Sequence, residues 1–362
     1  MTRMITIIFV LASLVVIGQV KYTEEWILGR SRINYGRPID TDVFPYHPSQ
    51  KEFYHAVTKG AEVAFTIKVM DEKRNPIEDA NVVCLLELND AFNQAGKNYT
   101  KIDKFTDANG FVFINGKCDG FACFNVKKTG WYKSSYKDMY FFYMNNYSLQ
   151  DGKWQPYGLT HEVVLRPIKM QIPMYNPQAG YVGKLPAMGI SVGIDLFMYD
   201  WVAPYGKGKT IDFFLQYDII ENKEGKCETL TFTFPNKGDG IYRSQCMKWS
   251  DFRTDYEASE DSSMYLDTMK FHREVKYVYM KNHRRGEFYE ERLVFQNDIG
   301  YEDYLVLRTR TKLDENGNVT HCHYSKIFNP IRFAGRRLDI WWLTNPTPND
   351  SNLEELSGVL PQ

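Results

Sequence analysis

From residue 61 onward the chain carries runs in which apolar side chains recur at every second position, and the runs are cut by short turn-forming stretches. Val63, Phe65, Ile67 and Val69 fall on one side of a first run, and Val82, Cys84 and Leu86 repeat the step in a second. A period of two marks a strand with one buried face, because successive side chains point to opposite sides of the pleat. In EKRNP, Pro76 has a fixed φ and no N–H for a ladder, so it ends the first run and sets up the turn into the next. TDANG at 106–110 repeats the device: Asp107 and Asn109 bond nearby backbone, and Gly110 tolerates positive φ. FVFI then starts one strand and FACFNVKKTGWY another, and strands at this spacing imply a sandwich.

The stretches VMDEKRNPIEDANV, TDANGFVFING and FNVKKTGWY resemble the carboxypeptidase regulatory-like, transthyretin-related β-sandwich and, to a lesser degree, the bacterial Ig-like repeats of adhesins. The resemblance spans residues 61–167 and is made of turn and core residues. It implies a non-catalytic module that accompanies another domain in exported bacterial proteins. The insert YFFYMNNYSLQDGKWQPYGLTHE departs from that pattern and is expected to lengthen the last hairpin of the module.

RPIKMQIPMYNPQAGYVGKLP, rich in Pro, reads as a semi-extended connection. Beyond it alternation returns in GISVGIDLFMYDWV, KTIDFFLQYDII, CETLTFTF, VKYVYM, EFYEERLVFQ, DYLVLRTRTKL and NVTHCHYSKIFNPIRF, with RLDIWWL as a further strand. DENGN at 314–318 is a hairpin turn, since Asn-Gly adopts the twist that joins adjacent strands. SDFRTDYEASEDSSMYLDTM alone reads as irregular. The phrases DWVAPYGKGK and NPTPND resemble exported bacterial proteins with no assigned activity.

The chain opens with Arg3, an apolar run over 5–17 and Gly18, the order of a secretory signal peptide. The run is shorter than the roughly 20 residues a spanning helix needs. The expected organisation is therefore all-β: a signal peptide (1–18), an extended lead segment (19–60), a regulatory-like sandwich (61–170), a Pro-rich linker (171–186), a second antiparallel β-sandwich (187–345) and a C-terminal tail (346–362). The expected location is secreted, periplasmic or at the cell surface, with no membrane span after signal removal. Six cysteines in an exported chain permit disulfides, and Cys118 with Cys123 and Cys227 with Cys246 are the candidate pairs because each flanks a short connection. With 44 basic against 45 acidic residues there is no concentrated charge to draw a nucleic acid, so none is expected as partner.

Two constellations carry candidate chemistry. Asp195, Asp200, Trp201 and Tyr205 combine carboxylates with aromatic faces, the combination that holds sugars, against the reading of a strand end followed by a Pro-Gly loop. His321 and His323 share one face of a strand while Cys322 points to the other, so the two imidazoles are a candidate metal pair; a third ligand is needed, and Lys326 rather than an acid follows them. No His-Glu-x-x-His is present. The sequence thus reads as an exported, non-enzymatic protein with a structural or binding role, its partner a polysaccharide or another envelope protein, with no cofactor. The alternatives are a carbohydrate-binding or glycan-active protein using the second domain, and a metal-dependent enzyme at His321 and His323.

Overall fold

The computed structural model describes residues 60–88, 98–140, 149–176, 181–245, 250–282, 286–296, 303–328 and 331–356, together with Glu52, His55, Ala56 and Lys59. Residues 1–18, read above as a signal peptide, nearly all of the segment read as an extended lead (19–60) and Cys246 lie outside the described residues. The chain divides into two compact units, Met1–Arg166 and Pro167–Gln362.

Unit 1 contains β1 (Ala61–Met70), β2 (Asn81–Leu88), β3 (Asn98–Phe105), β4 (Phe111–Cys118), β5 (Phe121–Lys127), β6 (Ser134–Tyr140), β7 (Leu149–Gln150), β8 (Lys153–Trp154) and β9 (Leu159–Val164). One sheet runs β4-β1-β8-β7, with β9 also on β1; the other runs β3-β2-β5-β6. The alternation explains the core directly. Val63, Phe65, Ile67 and Val69 from the first sheet face Val82, Cys84 and Leu86 from the second, all buried. Two pairings depart from antiparallel order: β8 and β9 both lie parallel to β1, with Glu62 opposite Lys153 and Phe65 opposite Leu159.

The turns form as their residues dictate. Asp107 accepts from the backbone N–H groups of Asn109 (2.9 Å) and Phe111 (2.8 Å), and Asp71 does the same for Lys73 and Asn75, both at 2.8 Å. The insert holds a surprise: Trp154 is wholly buried and donates its indole N–H to the Cys118 carbonyl at 2.8 Å. The segment read as a hairpin extension therefore supplies a core plug.

Unit 2 contains β10 (Tyr181–Lys184), β11 (Ser191–Asp195), β12 (Asp200–Trp201), β13 (Phe213–Glu221), β14 (Gly225–Thr233), β15 (Gly240–Gln245), β16 (Thr268–Asn282), β17 (Gly286–Gln296), β18 (Asp303–Leu313), β19 (Val319–Ile327), β20 (Arg332–Ala334), β21 (Arg337–Ile340) and β22 (Trp342–Thr344). They form a sheet β12-β11-β13-β14-β16-β17, a sheet β15-β18-β19-β22 and a sheet β10-β21-β20. The main core draws on all three, with Phe213, Phe232 and Phe271 from the first, Leu305, Leu307 and Trp342 from the second, and Phe333, Leu338 and Ile340 from the third. Wholly buried Glu228 on β14 ties the third sheet to the first, accepting from Tyr217 Oη (2.7 Å) and from the Gly335 N–H in the β20–β21 turn (2.9 Å), with Arg273 as its counter-ion.

The second sheet is also covered on its other face. Tyr242, Val306, Cys322 and Tyr324 pack there under Ala258, Tyr265 and Leu353. The irregular 250–267 stretch is thus a cover, not a loop in solvent, and its Phe252 is buried. The segments read as linker and tail likewise belong to unit 2. Lys169 and Met170 donate backbone N–H to the Glu354 carboxylate at 2.8 and 2.6 Å, Ile172 pairs with Glu355, and Tyr175 pairs with Thr344. Buried Lys326 donates to the Leu353 carbonyl at 2.7 Å and pairs with Glu355.

Gly110 sits at φ +77°, and a Cβ there would lie 2.3 Å from the Val69 carbonyl oxygen, which already accepts from Ile77. Gly110→Ala is expected to destabilise unit 1 by at least about 2 kcal/mol, since both the backbone conformation and that hydrogen bond must give. Urea unfolding of the full chain measures this; an unchanged midpoint would show that the turn relaxes freely.

Candidate functional site

The acids and histidines singled out in the sequence meet at one end of unit 2, around a residue that did not attract attention there. In β18 the register against β19 slips between Thr309, opposite His323, and Lys312, opposite His321. The bulge carries Arg310 at φ +56°, a conformation few non-glycine residues adopt. Its guanidinium is thereby aimed across to the other sheet. Nε and Nη2 donate to Asp212 Oδ1 (2.8 Å) and Oδ2 (3.0 Å), and Nη2 also donates to Asp195 Oδ1 at 3.0 Å. The same cation lies 4.3 Å from the centre of the Phe197 ring. Phe197 in turn meets His323 edge to face at 4.9 Å, and His323 meets His321 at 5.3 Å.

Each acid here is committed to protein donors. Asp195 accepts from the backbone N–H groups of Phe197 and Met198 (both 3.1 Å), Lys209 (2.9 Å) and Thr210 (3.0 Å), besides Arg310. A carboxylate offers about four lone-pair sites, so this one has no acceptor capacity left for a ligand. Burial works against its ionisation, but the Lys209, Thr210 and Met198 N–H groups and Arg310 outweigh that and hold it below the usual carboxylate range. Asp212, with no exposed surface, is pushed the other way by burial against the pull of Arg310, and also accepts from the Leu196 N–H at 2.7 Å.

Asp200 organises the adjoining loop rather than a groove. Its two oxygens accept from the N–H groups of Trp201 (2.8 Å) and Lys207 (2.7 Å). Gly206 is required there, because a Cβ would meet the Trp201 carbonyl at 2.3 Å and Asp200 Oδ1 at 2.4 Å. Trp201, a candidate sugar-facing ring weighed against a core plug beside a Pro-Gly loop, is only 5% exposed and belongs to the main core. The space beside it, between Ile194, Tyr199, Asp200 and Trp342, measures ≈ 10 Å³, room for one water at most. Tyr205 alone of the four remains well exposed.

The histidine pair shares a face as expected, with Cys322 on the other. His323 is buried and its Nδ1 lies 3.3 Å from the Asn345 carbonyl, an acceptor, so that nitrogen carries the proton. Burial, the nearby His321 and Arg310 all lower its pKa. No group of three or more His, Cys, Asp or Glu able to hold a metal occurs among the described residues. The Cys118–Cys123 bridge is a correction: Cys118 turns into the core from one sheet, whereas Cys123 occupies a half-exposed rung of the other, opposite Leu85, and both stay thiols. Cys227 is a thiol, and its candidate partner Cys246 is outside the described residues.

The fold and this site define an all-β protein of two units, the second clasped by an arginine. No protein-family model matches the chain, and no curated protein does. Similar solved structures include a single-residue mutant of catechol 1,2 dioxygenase from Acinetobacter radioresistens (15% identity, 32% of this chain and 55% of that one, TM-score 0.23). A 3-chlorocatechol 1,2-dioxygenase from Rhodococcus opacus 1CP matches at 11% identity over 30% of this chain and 61% of that one, TM-score 0.22. A streptococcal ancillary pilin matches at 11% identity over 65% of this chain and 60% of that one, TM-score 0.18. The chain spans about half the length of the first of these. At such scores none bears on the function of this chain.

Arg310→Met is expected to cost about 3 kcal/mol, because it strands the buried Asp212 carboxylate without its cation; a loss under a third of that in chemical denaturation would show that the clasp is dispensable. The pH dependence has a definite sign. His323 and Asp195 both have folded pKa values below their unfolded ones, so each contributes stability that is present at neutral pH and lost on acidification. His323 acts from about pH 6.5 downward and Asp195 from about pH 4 downward. His323→Gln should flatten only the upper limb of thermal stability against pH, and Asp195→Asn only the lower.

Proposed function

We propose that this chain is an exported, non-enzymatic β-protein with a structural or binding role at the cell envelope or outside the cell, its partner a polysaccharide or another envelope protein. The observation that carries the reading is the use unit 2 makes of its acids. Asp195, Asp200 and Asp212 spend their oxygens on backbone N–H groups and on Arg310, which is how carboxylates are used to fix loops and sheets. In this reading unit 1 is a carboxypeptidase regulatory-like sandwich, supported by the Asp71 and Asp107 turns and the alternating β1 and β2 core positions.

Export is supported by Arg3, the apolar run at 5–17 and Gly18. No helix among the described residues is long and apolar enough to cross a membrane.

Fractionation of the producing cell with intact-mass measurement tests the proposal. The expected product lacks roughly the first 18 residues, as a signal peptide would, and is found in the envelope or medium. Full-length chain in the cytosol with its leader intact would overturn it.

A further inference from the structure

Unit 1 carries a second feature that the clasp does not use. On the outer face of the β3-β2-β5-β6 sheet, Asn81 stands opposite Phe105 on one side and Lys127 on the other, so three strands set these side chains in one row. The row continues past the Val126–Ser134 pair to Lys133, the residue just before β6. The 128–131 turn, closed by the Trp131 N–H on the Lys128 carbonyl at 3.1 Å, raises Trp131 beside it. Asp79, Lys128 and Thr129 complete an open groove of ≈ 400 Å³, within the size range of ligand sites.

The lining has a definite chemistry. Phe105 is 63% exposed, so its ring face is open to a ligand lying in the groove. Trp131 is half-buried against the core, which fixes the plane of its indole. Lys128 is held in place by the Glu78 carbonyl. The ammonium groups of Lys127 and Lys133 make neither a hydrogen bond nor an ion pair among the described residues, although Asp79 lines the same groove. Two rings with flat apolar faces and two unneutralised ammonium groups thus flank a shallow open channel.

We propose that this groove binds an acidic polysaccharide strand, with the C–H faces of its sugars on Phe105 and Trp131 and its carboxylate or sulfate groups on Lys127 and Lys133. An open channel admits a chain running through it, unlike an enclosed pocket built for a small molecule. A polyphosphate is the weaker fit. It carries a charge at every unit and needs a broad basic face, whereas the cations here are confined to one short row on a chain of net charge −1. The site rests on unit 1 alone and not on export, so its failure leaves the preceding reading standing.

Calorimetric titration of the full chain decides the matter, with sodium polygalacturonate and dextran sulfate as carboxylate and sulfate probes. Neutral dextran and a single-stranded oligothymidylate are the comparators. Expected is saturable binding of at least one acidic probe and none of neutral dextran, weakening by about tenfold between about 0.05 and 0.5 M salt. The double variant Lys127→Glu/Lys133→Glu should weaken it by at least about tenfold, and Phe105→Ala by about fivefold, both at unaltered melting temperature. If neither acidic probe binds, if the folded variants bind as the parent does, or if neutral dextran binds equally well, the proposal fails. Tighter binding of the oligonucleotide than of either acidic glycan would likewise overturn it.

Discussion

The end of unit 2 depends on one guanidinium. Arg310 bonds both oxygens of Asp212 and one of Asp195, and these acids sit where β11 ends and β13 is about to begin. Burying a carboxylate as completely as Asp212 costs several kcal/mol unless an opposite charge and well-aimed donors meet it. The two-pronged contact supplies both. It also explains the bulge in β18. An arginine in regular register would sit within the ladder, and the slipped, positive-φ geometry turns its side chain out to the acids of the facing sheet. A residue conformation that costs about a kcal/mol or more of strain persists because it completes an ion pair whose other half has nowhere else to go. The Asp195 end of the pair then fixes the 197–210 loop by four backbone bonds.

Alternation in the sequence made the sheets legible because period two is a local property. Val63 to Val69, Val82 to Leu86 and the turns at EKRNP, Asp107 and Asp314 each reveal themselves within ten residues, and each is found in place. The parallel β9 pairing, the Trp154 plug and the cover formed by residues 250–267 were illegible for a common reason. Each is decided by what lies opposite in space. Trp154 meets the Cys118 carbonyl across 36 residues, and nothing near Trp154 in the chain announces that partner. Likewise the Pro-rich segment around residue 172 has the composition of a linker, yet it is fastened by Glu354 at 184 and 185 residues' remove.

The candidate site shows the same division. Asp195, Asp200 and Trp201 were visible as residue types suited to a sugar, but a carboxylate beside a Pro-Gly loop serves equally well to collect backbone N–H groups. The deciding quantity is how many donors come within reach, and that follows from the loop's path. Arg310 was invisible as a centre because its partners lie 98 and 115 residues away. The histidine pair was placed on the right face. What the strand pattern could not show is that Phe197 and the Asn345 carbonyl enclose His323, leaving it a neutral packing residue.

The thiols bear on whether such a chain suits an oxidising compartment. Disulfide formation needs a thiolate, and the thiolate is scarce wherever burial disfavours charge. Cys84 lies in the core with its pKa pushed up by burial, and Cys118 is pushed up to about 12 by the same cause, aided by Asp119 and opposed by the Gly120 and Phe121 N–H groups. Burial thus disfavours the thiolate of both while the sandwich is closed, and this lowers their reactivity in the folded state. Cys322, sealed beneath the 250–267 cover with its pKa also raised by burial, is protected in the same way. Protection by packing rather than by pairing makes the unfolded chain the form in which these cysteines are vulnerable to oxidation.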